Sequence, residues 1–165
     1  MSLDEKKDNC PFCSSNINHA RFHESENFLA IYNIAPILPG HSLIIPKWHV
    51  ESLLELDDEK LYELMMFSRD TTKILLSVFK SSGFDWTIQE GEEAGQSIPH
   101  LHLHLIPRRP NDLSQPGDWY PLVKESEAEI IDSEARPRLS ANEMKVIVSK
   151  IREFIDLRKQ IPSWR

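Results

Sequence analysis

His100, His102 and His104 alternate with Leu101, Leu103 and Leu105 in a run bounded by Pro99 and Pro107. Near neutral pH imidazole can donate, accept, ligate a metal or attack as a nucleophile, because its unperturbed pKa is about 6.5. Period two predicts a β-strand, which sends the three histidines to one face and the leucines to the other. A buried leucine face leaves the histidine face to line a site. Successive histidines then lie about 6.5–7 Å apart at Cα. That spacing suits a row of separate roles better than one three-ligand metal centre, whose bonds are only about 2 Å long. Chelation by His-x-His stays open beside it. One strand histidine is usually structural, but three of the chain's seven at this spacing point to a site.

Cys10-Pro11-Phe12-Cys13 is the second chemical cluster. A C-x-x-C pair is half a zinc site, a redox pair, or two unrelated buried thiols. No second C-x-x-C exists, so four-fold coordination would have to draw on histidines. A thioredoxin-type pair follows a strand, and none is predicted before Cys10.

The chain around these groups has 165 residues, enough for one domain with a proper core. Its formal charge of −7 argues against broad binding to nucleic acid or to an anionic membrane, both of which favour basic surfaces. No apolar run approaches the roughly 20 residues that span a bilayer. The polar start, Met1 to Asn9, does not resemble a signal peptide, and two cysteines are too few for a disulfide framework. The expected location is cytoplasmic.

The elements that must position the histidines follow from patterning. Phe28–Tyr32 and Ser42–Ile45 read as strands joined by a turn containing Pro36, Pro39 and Gly40, an antiparallel hairpin. From Asp57 to about Ser81 the pattern is helical, with Leu61, Leu64, Met65, Ser68, Thr72, Leu75, Leu76 and Phe79 inward and Gly83 as a stop. Trp86–Gln89 is a third strand, Gly91–Gly95 a turn, and the histidine strand follows. Residues 110–139 read as an extended surface segment. Ser140–Glu143 has capping-box form and opens a last helix with Met144, Ile147, Val148, Ile151 and Phe154 inward. This is an α+β domain with an antiparallel sheet. It divides into an N-terminal segment (1–27), a core (28–109) and a C-terminal loop and helix (110–165).

His100 through Ile106 meets, without exception, the pattern His-φ-His-φ-His-φ-φ (φ apolar) of the histidine triad superfamily, which the chain resembles. Asn33, Pro36, Pro39-Gly40-His41 and Ser42–Pro46 resemble that family's nucleotide-binding hairpin, and Gln89–Ser97 its loop before the triad. The resemblance implies a sheet of about five antiparallel strands, a long helix after the first hairpin, a C-terminal helix and a twofold homodimer. Gln89 and Pro107-Arg108 are similar to the fragile histidine triad branch, which cleaves diadenosine tri- and tetraphosphates. Ser97 is also used by the family's purine nucleoside phosphoramidases, the alternative activity; a nucleotide-binding protein with little turnover and a metal-dependent hydrolase are the others.

By this resemblance His102 attacks the α-phosphorus and forms a nucleotidyl-histidine that water then releases. The backbone carbonyl of His100 fixes the tautomer of His102, and His104 holds nonbridging phosphate oxygens. His41, Gln96 and Ser97 contact phosphate or leaving group, with Asn33 and Gln89 nearer ribose and α-phosphate. No catalytic metal is implied. Some superfamily members use two such cysteines, a histidine after the second hairpin strand and the first triad histidine, which implies a structural zinc on Cys10, Cys13, His49 and His100. Lys47, Arg108 and Arg109 are candidates to draw in polyphosphate, and Trp119, Tyr120 and Trp164 are expected to pack.

Overall fold

A computed structural model of the chain describes residue 7, residues 9–122 and residues 138–160. Five strands form one antiparallel sheet: β1 (Arg21–Glu24), β2 (Phe28–Tyr32), β3 (Ser42–Pro46), β4 (Gly83–Ile88) and β5 (Leu103–Arg108), in the order β1-β2-β3-β5-β4. Two long helices, α1 (Asp58–Phe79) and α2 (Ala141–Lys159), complete the α+β architecture. The hairpin of β2 and β3 is in register from Phe28↔Pro46 to Tyr32↔Ser42, and every residue of both strands is buried.

Register decides which face holds the chemistry. Leu105 lies opposite Trp86, and His104 lies opposite Thr87 on β4 and Leu43 on β3. The Trp86 indole N–H donates to Thr72 Oγ1 of α1 at 2.9 Å, so α1 covers the leucine face. The alternation of side chains therefore turns His104 to the other face. Leu101, Leu103 and Leu105 join Ile44, Leu64, Ile74 and Leu75 in the core. Burial of each such side chain contributes about 1.5–3 kcal/mol.

Capping sets the helix ends. The Asp57 carboxylate accepts from the Lys60 amide at 2.8 Å, and Asp58 and Glu59 complement the dipole behind it. Ser140 and Glu143 form the expected capping box of α2. Its buried side is Met144, Val148, Ile151 and Ile155, with Ile147 and Phe154 packed at the margin.

Several details differ from the sequence reading. Strand β1 was not anticipated, because Arg21-Phe22-His23-Glu24 offers only one buried apolar residue, Phe22. Helix α1 stops at Lys80, which takes a left-handed conformation (φ 52°), and Gly83 instead opens β4. Leu61 and Met65 are exposed, while Phe67 and Ile74 take inward places. The regular strand begins at Leu103, so His100 and His102 lie in the chain leading into it. Much of the 110–139 segment, with Trp164, falls outside the described residues.

One polar clip ties three elements together. Asp70 on α1 accepts from Arg158 of α2 through both carboxylate oxygens, and its Oδ2 lies 3.4 Å from His23 Nε2 on β1. His23 and Arg158 together hold the Asp70 carboxyl well below the usual aspartate range. A carboxyl so depressed stabilises the fold above its unfolded pKa, about 3.9, and that stability disappears as pH falls below it. Asp70→Asn should therefore lower stability at pH 7 by about 1 kcal/mol, the clip being partly exposed. The difference in denaturant midpoint between the two proteins should shrink below about pH 4.

Candidate active site and metal centre

The loop between β2 and β3 delivers His41. Its ends are closed by the Asn33 amide donating to the His41 carbonyl at 3.1 Å. Inside it, the Gly40 amide donates to the Tyr32 hydroxyl at 2.9 Å. Gly40 adopts φ +95°, and a Cβ there would sit 2.7 Å from Pro107 Cγ and 3.0 Å from Phe79 Cδ2. Only glycine supplies both that conformation and that clearance. The loop is thus pressed against the strand that carries the triad.

Hydrogen bonds fix the proton on each ring. The Ile37 amide donates to His41 Nδ1 at 3.3 Å, which leaves the His41 proton on Nε2. His41 Nε2–H donates to His104 Nδ1 at 3.0 Å, which leaves the His104 proton on its Nε2. Asn33 Nδ2 also stands 3.4 Å from His41 Nε2; two donors meet there, and the shorter His104 bond sets the tautomer. His102 is wired the other way: its Nδ1–H donates to the His100 carbonyl at 2.7 Å, so Nε2 carries the lone pair. The His102 and His104 rings stand 5.0 Å apart between centroids. A nucleophilic nitrogen and a donor N–H thus lie side by side, each held by a backbone-anchored partner. All three of His41, His102 and His104 are buried.

The loop after β4 carries Gln89, Gln96 and Ser97. Gln89 is buried and donates through Nε2 to the Ala94 carbonyl at 3.0 Å, and no partner within the described residues meets its Oε1. An inward acceptor left this way is a ready contact for a ligand hydroxyl or N–H. Gln96 braces the loop: its Oε1 accepts from the Gly91 amide at 2.8 Å and its Nε2 donates to the Glu51 carbonyl at 3.1 Å. Ser97 is exposed at the end of the same loop.

Cys10, Cys13, His49 and His100 bring one ligand atom each to within 4.8 Å of one another. Cys10 Sγ lies 3.3 Å from His100 Nδ1, and Cys13 Sγ lies 3.6 Å from the same nitrogen and 3.5 Å from His49 Nδ1. Bonds of about 2.3 Å to sulfur and about 2.0–2.1 Å to nitrogen put tetrahedral neighbours about 3.6 Å apart. The donor set therefore fits a zinc ion. Both imidazoles are pre-oriented, since His100 Nε2–H donates to the Pro46 carbonyl at 3.3 Å and His49 Nε2–H to Glu51 Oε1 at 3.2 Å. Such outer partners aim the remaining nitrogen at a metal. Burial pushes His100 down to about 4, which keeps it neutral and able to ligate. Burial also raises the Cys10 thiol, so a thiolate there needs a neighbouring cation.

Two of the three basic residues named as candidates to draw in polyphosphate are held in ion pairs. Arg108 is bound by Asp112 through both carboxylate oxygens (2.9 and 3.0 Å) and by Asp85 at 2.6 Å. Lys47 pairs with Glu24 at 3.0 Å and donates to the Ser25 carbonyl. Both charges serve the fold. Trp119 and Tyr120 stack edge-on against each other. Sequence reasoning missed Phe12, whose ring meets those of His100 and His102, and Glu51, two residues beyond His49. Their only sequence signals are a position between the two cysteines and proximity to a candidate ligand.

With this geometry in place, known proteins supply the context. Residues 14–111 match the HIT domain model, and the chain belongs to the HIT domain family. It is 35% identical over 109 residues to a Schizosaccharomyces pombe protein named bis(5'-nucleosyl)-tetraphosphatase [asymmetrical], a match covering 66% of this chain and 60% of that protein. It is 30% identical over 131 residues to a Dictyostelium discoideum bis(5'-adenosyl)-triphosphatase, covering 75% and 88% of the two. A hypothetical histidine triad nucleotide-binding protein from Sulfolobus tokodaii superposes with a TM-score of 0.69 at 28% identity, over 94% of this chain and 99% of that one.

Gly95, at φ +98°, faces Gln89 so closely that an added Cβ would lie 2.9 Å from its Nε2. Gly95→Ala should cost about 1 kcal/mol or more in stability from the backbone alone. Chemical denaturation measures that loss, and a stability equal to the parent's would show that the loop does not need this conformation.

Proposed function

We propose that the chain is a nucleotide hydrolase that cleaves dinucleoside polyphosphates, such as diadenosine tri- and tetraphosphate, at the α-phosphate. The observation that carries this reading is the opposed proton placement on His102 and His104. The lone pair on His102 Nε2 forms an N–P bond to the α-phosphorus, and the bond from phosphorus to the bridging oxygen breaks. Its electron pair leaves on the departing nucleotide, which takes up a proton. Water then adds to phosphorus and loses a proton, the P–N bond breaks, and its electrons return to Nε2 as a nucleoside monophosphate departs. The His104 Nε2–H, aligned by His41, stabilises the charge that gathers on nonbridging oxygen. Gln89, with its unmet Oε1, and Asn33, beside His41, would contact ribose and α-phosphate, and the braced Gln96 sets the loop that bears Ser97. The imidazoles carry nucleophile and charge stabilisation between them, so no catalytic metal enters the scheme.

The substrate class rests on two supports: the names of the Schizosaccharomyces and Dictyostelium relatives, and the Gln89 and Pro107-Arg108 pattern. Cys10, Cys13, His49 and His100 would hold a structural zinc that ties the N-terminal segment to the sheet without touching phosphorus. We further infer a homodimer through β4, whose outer edge ends the sheet. Phe84 there and Leu61, Tyr62 and Met65 on α1 are exposed apolar groups, and an uncovered edge of this kind favours pairing with a second copy. Among the described residues no helix is long and apolar enough to cross a membrane. The expected location is the cytoplasm, where a chain with only two cysteines needs no disulfide framework. The partner is a small nucleotide, and the whole chain is taken to work as one domain.

His102→Ala should abolish turnover of diadenosine tetraphosphate, with a loss of many powers of ten, while the fold and nucleotide binding survive. Product analysis beside an adenosine phosphoramidate, with trapping of a labelled His102 adduct, checks both chemistry and substrate class; retained hydrolysis by the variant refutes the mechanism. Elemental analysis of protein purified without chelator should find zinc, and Cys13→Ser should lose it together with several degrees of melting temperature.

A further inference from the structure

The middle of the cysteine turn reaches the nucleophile. The Cys13 amide donates to the Cys10 carbonyl at 3.1 Å, closing a four-residue turn with Pro11 and Phe12 at its centre. Proline fixes the second position of such a turn, which leaves Phe12 little freedom once both ends are held. Its phenyl ring stands 5.6 Å from the His100 ring at 85° and 5.5 Å from the His102 ring at 61°, edge-on in both cases. One side chain thus touches a metal-facing imidazole and the attacking imidazole together.

The bond from His102 Nδ1–H to the His100 carbonyl fixes the proton and one edge of the ring. That bond by itself does not fix the tilt of the ring about its own axis. The His104 ring limits that tilt on one side, and the Phe12 ring faces His102 in a second contact. Nε2 is then held where a phosphorus can be approached in line. An error of about 1 Å in such placement costs about 100-fold in rate.

We infer that Phe12 is a positioning residue for His102, passing the geometry of the Cys10–Cys13 turn to the nucleophile. The inference rests on the hydrolase reading above. The four-ligand cluster is therefore coupled to the chemistry twice over: through the His100 carbonyl, and through a ring that ligates nothing. Phe12 is neither a ligand nor a reacting group, so it can be changed while both of those remain.

The test uses the full chain loaded with zinc, comparing the parent with Phe12→Ala and Phe12→Leu on diadenosine tetraphosphate. The expected result is a kcat lower by about 10- to 100-fold in Phe12→Ala, a smaller loss in Phe12→Leu, and a KM within about twofold of the parent's. Formation of the labelled His102 adduct in a single turnover should slow by the same factor, with zinc stoichiometry and melting temperature kept. An unchanged kcat in folded, zinc-loaded Phe12→Ala overturns the inference, as does a raised KM at constant kcat, which would make Phe12 a substrate contact. Loss of zinc from both variants in step with rate also overturns it, because Phe12 would then serve the metal cluster alone. If the parent itself neither cleaves nor forms the adduct, the hydrolase reading fails and takes this inference with it.

Discussion

A 2.7 Å hydrogen bond from His102 Nδ1–H to the carbonyl of His100 is the constraint on which the rest of this molecule depends. It decides which nitrogen of His102 bears a lone pair, and so whether that ring can attack anything. The same residue that offers the carbonyl turns its own ring to the two thiols and its remaining N–H to the Pro46 carbonyl. His100 is therefore a junction between a cluster able to hold a metal and the His102–His104 pair. Its burial among these partners keeps the imidazole uncharged, as ligation of a metal requires.

The second ring is governed by a longer chain of proton placement. An amide of the β2–β3 loop fixes His41, and His41 fixes His104. Two triad members only two residues apart thus end in opposite protonation patterns, because one answers to the carbonyl of a near neighbour in the chain and the other to the β2–β3 loop. In a low-dielectric pocket such placement is worth more than in water, since the dipoles need no rearrangement when charge develops.

Much of this was legible in the sequence. The alternation of histidine with leucine gave the two faces, and the spacing of Cys10, Cys13, His49 and His100 matched ligands that the fold brings to within 4.8 Å. Capping residues marked both long helices well. What stayed hidden shares a physical cause: it depends on partners far along the chain. Leu61 and Met65 look like core by periodicity, but nothing among the described residues covers that flank of α1. Arg108 and Lys47 look like free cations until Asp85, Asp112 and Glu24 arrive beside them. Phe12 carries no periodic signal at all, and its neighbours lie almost ninety residues away.

The tight seat of Gly40 against Pro107 and Phe79 has an evolutionary corollary. The hairpin that presents Asn33 and His41 has no slack toward the triad, so neither side can drift without jamming the other. A substitution that enlarges one side of this wedge must therefore be matched by one that shrinks the other.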